Sequence, residues 1–85
     1  MPTPLVCEIF RCGKRAEMYL YVDKAKGTAD LPEALLTSVG SLTSVMTLAL
    51  HAERHLARVD VHKVLAAIEA QGFYLQMPPA DHLPG

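Results

Sequence analysis

The stretch Gly72-Phe73-Tyr74-Leu75-Gln76-Met77-Pro78-Pro79 predicts the last strand of a folded domain and the point where that domain ends. Apolar residues alternate along it, which places Phe73, Leu75 and Met77 on the core face. Two successive prolines cannot donate to a sheet ladder, so the sheet is expected to close there. The sequence therefore predicts a single domain over residues 1–79, followed by a loose tail over residues 80–85.

Composition and charge narrow the class of protein. The chain has 85 residues, is 51% hydrophobic and 20% charged, and has a net charge of -1. These values are typical of a globular domain with one modest core, and they exclude a disordered chain. No apolar run approaches the ~20 residues of a membrane span, and the start Met1-Pro2-Thr3-Pro4 is unlike a signal peptide.

Cys7 and Cys12 would lie about 16 Å apart on one strand, too far for a disulfide. Free thiols without a secretion signal predict a cytoplasmic protein.

The first half of the chain predicts two strands and a helix. Residues 5–11 are apolar on both faces, which favours a central strand, and residues 18–22 alternate as a second strand. The basic turn 11–15 joins the two as a hairpin. A helix is expected from an Asp30 cap to a stop at Gly40. Its buried stripe comprises Leu31, Leu35, Leu36 and Val39.

The second half predicts a strand, a helix and the closing strand. Residues 44–50 are apolar on both faces and are predicted to lie inside the sheet. After a polar turn over residues 51–55, Asp60 caps a helix that ends at Gly72. The helix buries Val61, Val64, Leu65 and Ile68. The order strand, strand, helix, strand, helix, strand predicts an α/β fold: a small mixed four-stranded sheet with helices on both faces.

Several segments together resemble the YcgL domain of bacterial proteins. The matching segments are Cys7-Glu8-Ile9-Phe10-Arg11, Met18-Tyr19-Leu20-Tyr21-Val22, Leu31-Pro32-Glu33-Ala34-Leu35, Val45-Met46-Thr47-Leu48, Leu56-Ala57-Arg58-Val59-Asp60 and the specific closing motif Gln71 to Pro79. The resemblance implies an α/β/α sandwich in a small cytoplasmic protein of Gram-negative bacteria, without an established biochemical function. The chain departs from the family pattern at Cys12, where serine is usual, and at Ala80-Asp81, which replace a longer proline run.

Two groups of side chains are candidates for an interaction surface. Tyr19, Tyr21 and Tyr74, with Gln76 on the same face as Tyr74, could stack bases or hold a partner. The alternative is that they are amphipathic edges of the core beneath a helix, with their hydroxyls reaching water. The basic turn of Arg11, Lys14 and Arg15, extended by Lys24 and Lys26, could contact phosphates, with Gly13 allowing close backbone approach. The alternative, which the slightly negative net charge favours, is a solubilising hairpin tip.

The remaining candidates have simpler alternatives. His51, His55 and His62 could contribute to a zinc site or be solvated histidines. Cys7 could be a nucleophile or a small core residue. The last strand with its prolines could dock another chain or simply seal the sheet.

Three functions follow from these candidates. The first is a non-enzymatic interaction or regulatory module that binds another protein through a sheet edge or the tyrosine surface. The second is a nucleic-acid-associated accessory protein that uses the basic turn and the tyrosines. The third is an enzyme whose site is completed by a partner or a dimer. The sequence predicts no catalytic residue, cofactor, metal site or membrane partner.

Overall fold

The apolar patterns form four strands and two helices in the computed structural model, which describes residues 5–29, 31–51 and 60–77. The elements are β1 (Leu5–Cys12), β2 (Tyr19–Asp23), α1 (Glu33–Val39), β3 (Leu42–Leu50), α2 (Val61–Gln71) and β4 (Phe73–Gln76). The α/β class and the order of elements are confirmed, with element ends slightly shifted from the predicted ones.

The strands form one sheet in the order β3-β1-β2-β4, and every neighbouring pair is antiparallel. The prediction of a mixed sheet is therefore wrong. Because β1 is antiparallel to both β2 and β3, those two strands do run in the same direction, as a helical crossover favours. They are not neighbours, however, since β1 lies between them. The connection through α2 then reaches the opposite edge, where β4 pairs with β2.

The two helices cover opposite faces of the sheet, as predicted. Successive residues of a strand point to opposite faces. Tyr21 belongs to one core cluster with the apolar stripe of α2, whereas Leu20 and Val22 belong to the other with Val39 of α1. The buried residues on the α2 side are Cys7, Ile9, Tyr21, Leu50, Val61, Val64 and Ile68. Those on the α1 side are Cys12, Met18, Leu20, Val22, Leu31 and Val39.

The ends of α2 are the predicted ones. The carboxylate of Asp60 accepts a hydrogen bond from the backbone N–H of His62 at 2.9 Å, which satisfies a donor that the first turn leaves unpaired. Gly72 adopts the left-handed conformation, with φ 92°, and its N–H donates to the carbonyl of Ile68. Both ends of α2 are thus fixed by local sequence.

The start of α1 is less well supported. The helix begins at Glu33 after Pro32, which provides no side-chain cap. The predicted cap, Asp30, lies outside the described residues. Gly40 ends the helix at a φ of 75°, and its N–H donates to the carbonyl of Leu36. Proline at this position fits the helix start, because its missing N–H would have no partner in the first turn.

Strand β3 forms one edge of the sheet and is not the interior strand that its composition predicts. The side chains of Val45 and Met46 are 46% and 50% exposed. The register shifts opposite Ile9 and Phe10, so that Val45 is an extra residue, as in a β-bulge. The apolar pattern of a strand predicts which of its two faces carry apolar side chains. Whether the strand lies inside the sheet depends on a second neighbouring strand, which local sequence does not specify.

Strand β4 forms the other edge and ends at Gln76. Phe73 and Leu75 pack against the α1-side core as predicted. Met77 lies past the end of the strand and is 52% exposed, so its predicted core position is wrong. The residues from Pro78 onward, including the predicted tail, lie outside the described part of the chain.

Candidate functional site

Two residues of the predicted interaction surface are buried. Tyr21 is 7% exposed and Gln76 is 8% exposed. The hydroxyl of Tyr21 donates a hydrogen bond to Oε1 of Gln76 at 2.8 Å, which links β2 to β4 inside the protein. Neither side chain therefore offers a stacking surface, and of the two alternatives for Tyr21 the structure shows the core position. Gln76 is polar because it satisfies the buried tyrosine, a pairing between residues far apart in sequence.

Tyr74 and Tyr19 are half-buried against the same core cluster. The rings of Tyr74 and Tyr21 meet edge to face, with centroids 5.9 Å apart and an interplanar angle of 77°. This geometry is favourable for aromatic pairs and explains Tyr74 by packing. Tyr19 differs because part of its side chain lines a groove at the hairpin tip.

The hairpin tip is held against the turn between α1 and β3. The N–H of Gly13 donates to the carbonyl of Ser41 at 2.7 Å, and the N–H of Lys14 donates to the carbonyl of Val39 at 3.1 Å. A Cβ at position 13 would collide with the hydroxyl of Ser41, which would have to rotate away to make room. Glu17 adopts a φ of 63°, the left-handed conformation that lets the tight turn close. The tip is therefore anchored on both sides.

Arg11, Arg15 and Tyr19 come together around an open groove of about 510 Å³ at this tip. Arg11 and Tyr19 are cross-strand partners, so their side chains leave the same face of the sheet. Arg15 approaches from the turn. The other lining residues are Cys12, Gly13, Ala16 and Glu17.

The other predicted cations do not join this groove. Lys14 lies beside Gly40, at the end of α1, and is not among the lining residues. Lys24 and Lys26 follow the far end of β2, about 13 Å of strand away at ~3.3 Å per residue. Lys26 instead lines a separate pocket of about 370 Å³ with Asp23 and Glu69. The predicted extension of the basic patch to these two lysines is therefore wrong.

Both cysteines are free and buried. Burial, together with the smaller effect of the nearby Asp23 carboxylate, raises the pKa of the Cys7 thiol from 9.0 to about 11. Burial also raises the pKa of Cys12. A raised pKa suppresses the reactive thiolate. Cys7 therefore behaves as the small core residue of the two alternatives.

The histidines give no metal centre within the described ranges. His51 and His62 are exposed, and His55 lies outside the described residues. Among residues 5–29, 31–51 and 60–77, no three His, Cys, Asp or Glu side chains are grouped to hold a metal ion. In the same part of the chain, neither helix has the length and apolar character needed to cross a membrane.

These features define a small α/β/α sandwich with one antiparallel sheet, a basic groove at a hairpin tip and an uncharged edge strand. The model of the YcgL domain matches residues 7–79. A YcgL domain-containing protein of Chromohalobacter salexigens is 59% identical over 78 residues, covering 92% of this chain and 81% of that protein. Another from Pseudomonas aeruginosa is 49% identical over 84 residues, covering 93% and 87%. A third, from Hahella chejuensis, is 50% identical over 80 residues, covering 94% and 76%. The chain belongs to the YcgL domain family.

Proposed function

We propose that the protein is a non-enzymatic interaction module that binds an extended segment of a partner protein by strand addition at β3. The observation that supports this proposal is the open side of that strand, which carries exposed Val45 and Met46. An edge strand presents a row of N–H and C=O groups to which another strand can pair.

The composition of β3 favours this role. Natural edge strands usually carry lysine, proline or inward charges that prevent pairing with other chains. The nine residues of β3 contain none of these, and within the described part of the chain the bulge at Val45 is the one protective feature. An uncharged strand offers a charged segment no electrostatic attraction. The partner segment is therefore expected to be uncharged and rich in threonine and aliphatic residues.

The opposite edge supports a long partner strand less well. Strand β4 has four residues, and its sequence continues into Pro78-Pro79, where pairing cannot extend. At ~3.3 Å per residue, β3 offers more than twice that length for pairing. The two free thiols fit a partner in the reducing cytoplasm. The raised pKa of both thiols disfavours nucleophilic catalysis and so supports binding over reaction.

A photo-cross-linking residue at position 46 tests the proposal in cells of the source bacterium. We expect a discrete adduct with one other protein, identified by mass spectrometry. The double variant Thr43→Lys/Thr47→Lys places two charges on exposed positions of β3 and is expected to reduce the adduct by about tenfold or more. The matched control, Ala66→Lys/Ala70→Lys, adds the same charges to the exposed side of α2 and should leave the adduct unchanged.

The outcomes separate the alternatives. The free energy of unfolding of both double variants should lie within about 0.5 kcal/mol of that of the parent, since all four positions are exposed. Equal cross-linking in the two variants would refute strand addition. An adduct consisting only of a second copy of the chain, together with a dimer in sedimentation equilibrium, would replace the partner protein by self-association and would overturn the proposal.

A further inference from the structure

The groove at the hairpin tip has a combination of groups that strand addition does not use. Two guanidinium groups, those of Arg11 and Arg15, and the phenol of Tyr19 line one open volume of about 510 Å³. Both arginines are exposed, and none of the hydrogen bonds within the described residues involves either guanidinium. The volume lies within the ~300–1,000 Å³ of small-molecule sites.

We infer that this groove binds a nucleoside monophosphate unit, with its phosphate on Arg11 and Arg15 and its base against Tyr19. A guanidinium group is planar and donates paired hydrogen bonds that match a phosphate. A tyrosine ring stacks on bases of any sequence. Arg11 and Tyr19 leave neighbouring strands on one face, and Arg15 lines the same groove, so one ligand can reach all three side chains.

Glu17 limits how much negative charge the groove accepts. Its residue lines the groove beside the two arginines, so the three ionised side chains carry a net single positive charge. A carboxylate beside the arginines repels the several charges of a triphosphate more strongly than those of one phosphate. One phosphate attached to a nucleoside therefore fits better than a polyphosphate.

The second pocket provides an internal comparison. It is lined by Lys26 together with Asp23 and Glu69, so acids outnumber bases there. An anion is not expected to bind it. Neutralising Lys24 and Lys26 removes the same charge as neutralising Arg11 and Arg15, at the other end of β2. The pair Lys24→Gln/Lys26→Gln is therefore a matched control for Arg11→Gln/Arg15→Gln.

The test is a titration of the labelled full chain followed by amide chemical shifts. The probes are adenosine monophosphate, adenosine, inorganic phosphate and a short single-stranded oligoadenylate. We expect adenosine monophosphate to shift amides over residues 11–19. Arg11→Gln/Arg15→Gln should lower the affinity for adenosine monophosphate by about tenfold or more, and Lys24→Gln/Lys26→Gln by less than about twofold. Raising salt from about 50 to about 200 mM should weaken it as well.

Tyr19 variants test the base contact separately from the phosphate. Tyr19→Leu should lower the affinity for adenosine monophosphate by about threefold or more. Tyr19→Phe should bind it as the parent does, because stacking needs the ring and not the hydroxyl. Inorganic phosphate should bind equally to all three. Tyr19→Phe keeps the test valid should Tyr19→Leu lose its fold.

The two sources of a nucleoside phosphate give different results. An oligoadenylate that binds about tenfold or more tighter than the mononucleotide indicates a nucleotide within a single strand. Equal affinity indicates a free nucleotide. Adenosine binding as tightly as its monophosphate, equal weakening by the arginine and lysine pairs, or shifts that leave out residues 11–19 would each overturn the inference.

Discussion

The hydrogen bond from Tyr21 to Gln76 stabilises the join between β2 and the closing strand. Both side chains are buried, so losing the Tyr21 hydroxyl would remove the donor that Gln76 Oε1 binds in place of water. Such a loss costs more than the net value of the bond itself, because the desolvation cost of the remaining group is not recovered. The hydrogen bond thus favours one pairing of β4 with β2, in addition to the apolar contacts of β4.

We predict that Tyr21→Phe lowers the free energy of unfolding by about 1–2 kcal/mol. Combining it with Gln76→Leu should cost less than the sum of the single changes, with a coupling of about 1 kcal/mol, because both polar groups are then gone. Tyr74→Phe serves as the control and should change stability by less than about 0.5 kcal/mol. Urea denaturation measures all four proteins. Additive costs would contradict a direct interaction.

The buried thiol of Cys7 links stability to alkaline pH. Its pKa is raised in the folded protein to about 11, so between about pH 9 and 11 the native state keeps a proton that the unfolded chain has released. The free energy of unfolding therefore falls as the pH rises through this window. We predict that Cys7→Ala has a shallower fall than the parent in urea denaturation from pH 8 to about 11. Parallel curves would show that other groups account for the whole dependence.

At the level of elements, α2 is fixed by its own ends. The Asp60 carboxylate caps its first turn, and Gly72 supplies a left-handed residue at its end. A Cβ at position 72 would meet no other atom within 4 Å, so the requirement for glycine there is conformational and not steric.

We therefore predict that Gly72→Ala destabilises the protein by about 1–2 kcal/mol, and that Gly72→Asn costs clearly less, since asparagine tolerates this backbone conformation. Asp60→Ala should cost about 1 kcal/mol. Thermal and urea unfolding measure each. Equal costs for alanine and asparagine would argue that crowding at position 72, and not its backbone conformation, sets the requirement.

The contrast between α2 and β3 shows which features local sequence can predict. Asp60, Gly72 and the apolar stripe between them act within one helix, and the neighbouring sequence predicts each of them. The edge position of β3 follows from its single neighbour, β1, among the described strands, and the burial of Gln76 depends on Tyr21 across the sheet. The groove is intermediate. A tight hairpin predicts that Arg11 faces Tyr19, but the position of Lys14 depends on the α1–β3 turn, which contacts it from elsewhere in the chain.

Across the whole molecule, β1 and β2 are the shared centre of two cores. Each pairs with strands on both sides, and their alternate residues enter both core clusters. Strand β3 is hydrogen-bonded on one side, and α1 has seven residues and no side-chain cap. Local opening requires less free energy where fewer bonds and contacts are lost. The stability of the molecule is thus expected to fall from the centre of the sheet toward β3 and α1.

Amide hydrogen exchange, measured residue by residue in dilute protein, tests this order. We predict the slowest exchange in β1 and β2, near the limit of global unfolding, and faster exchange in α1. Along β3 the amides that face β1 should be protected and the intervening ones unprotected, because alternate N–H groups of an antiparallel edge strand point away from the sheet. Uniform protection from Thr43 to Thr47 in a monomer would mean that the open side of β3 is already covered, which would remove the surface on which strand addition depends. Alternating protection that becomes uniform when the cross-linked partner is added would demonstrate strand addition directly, since a chain bound elsewhere has no reason to fill only the outward amides.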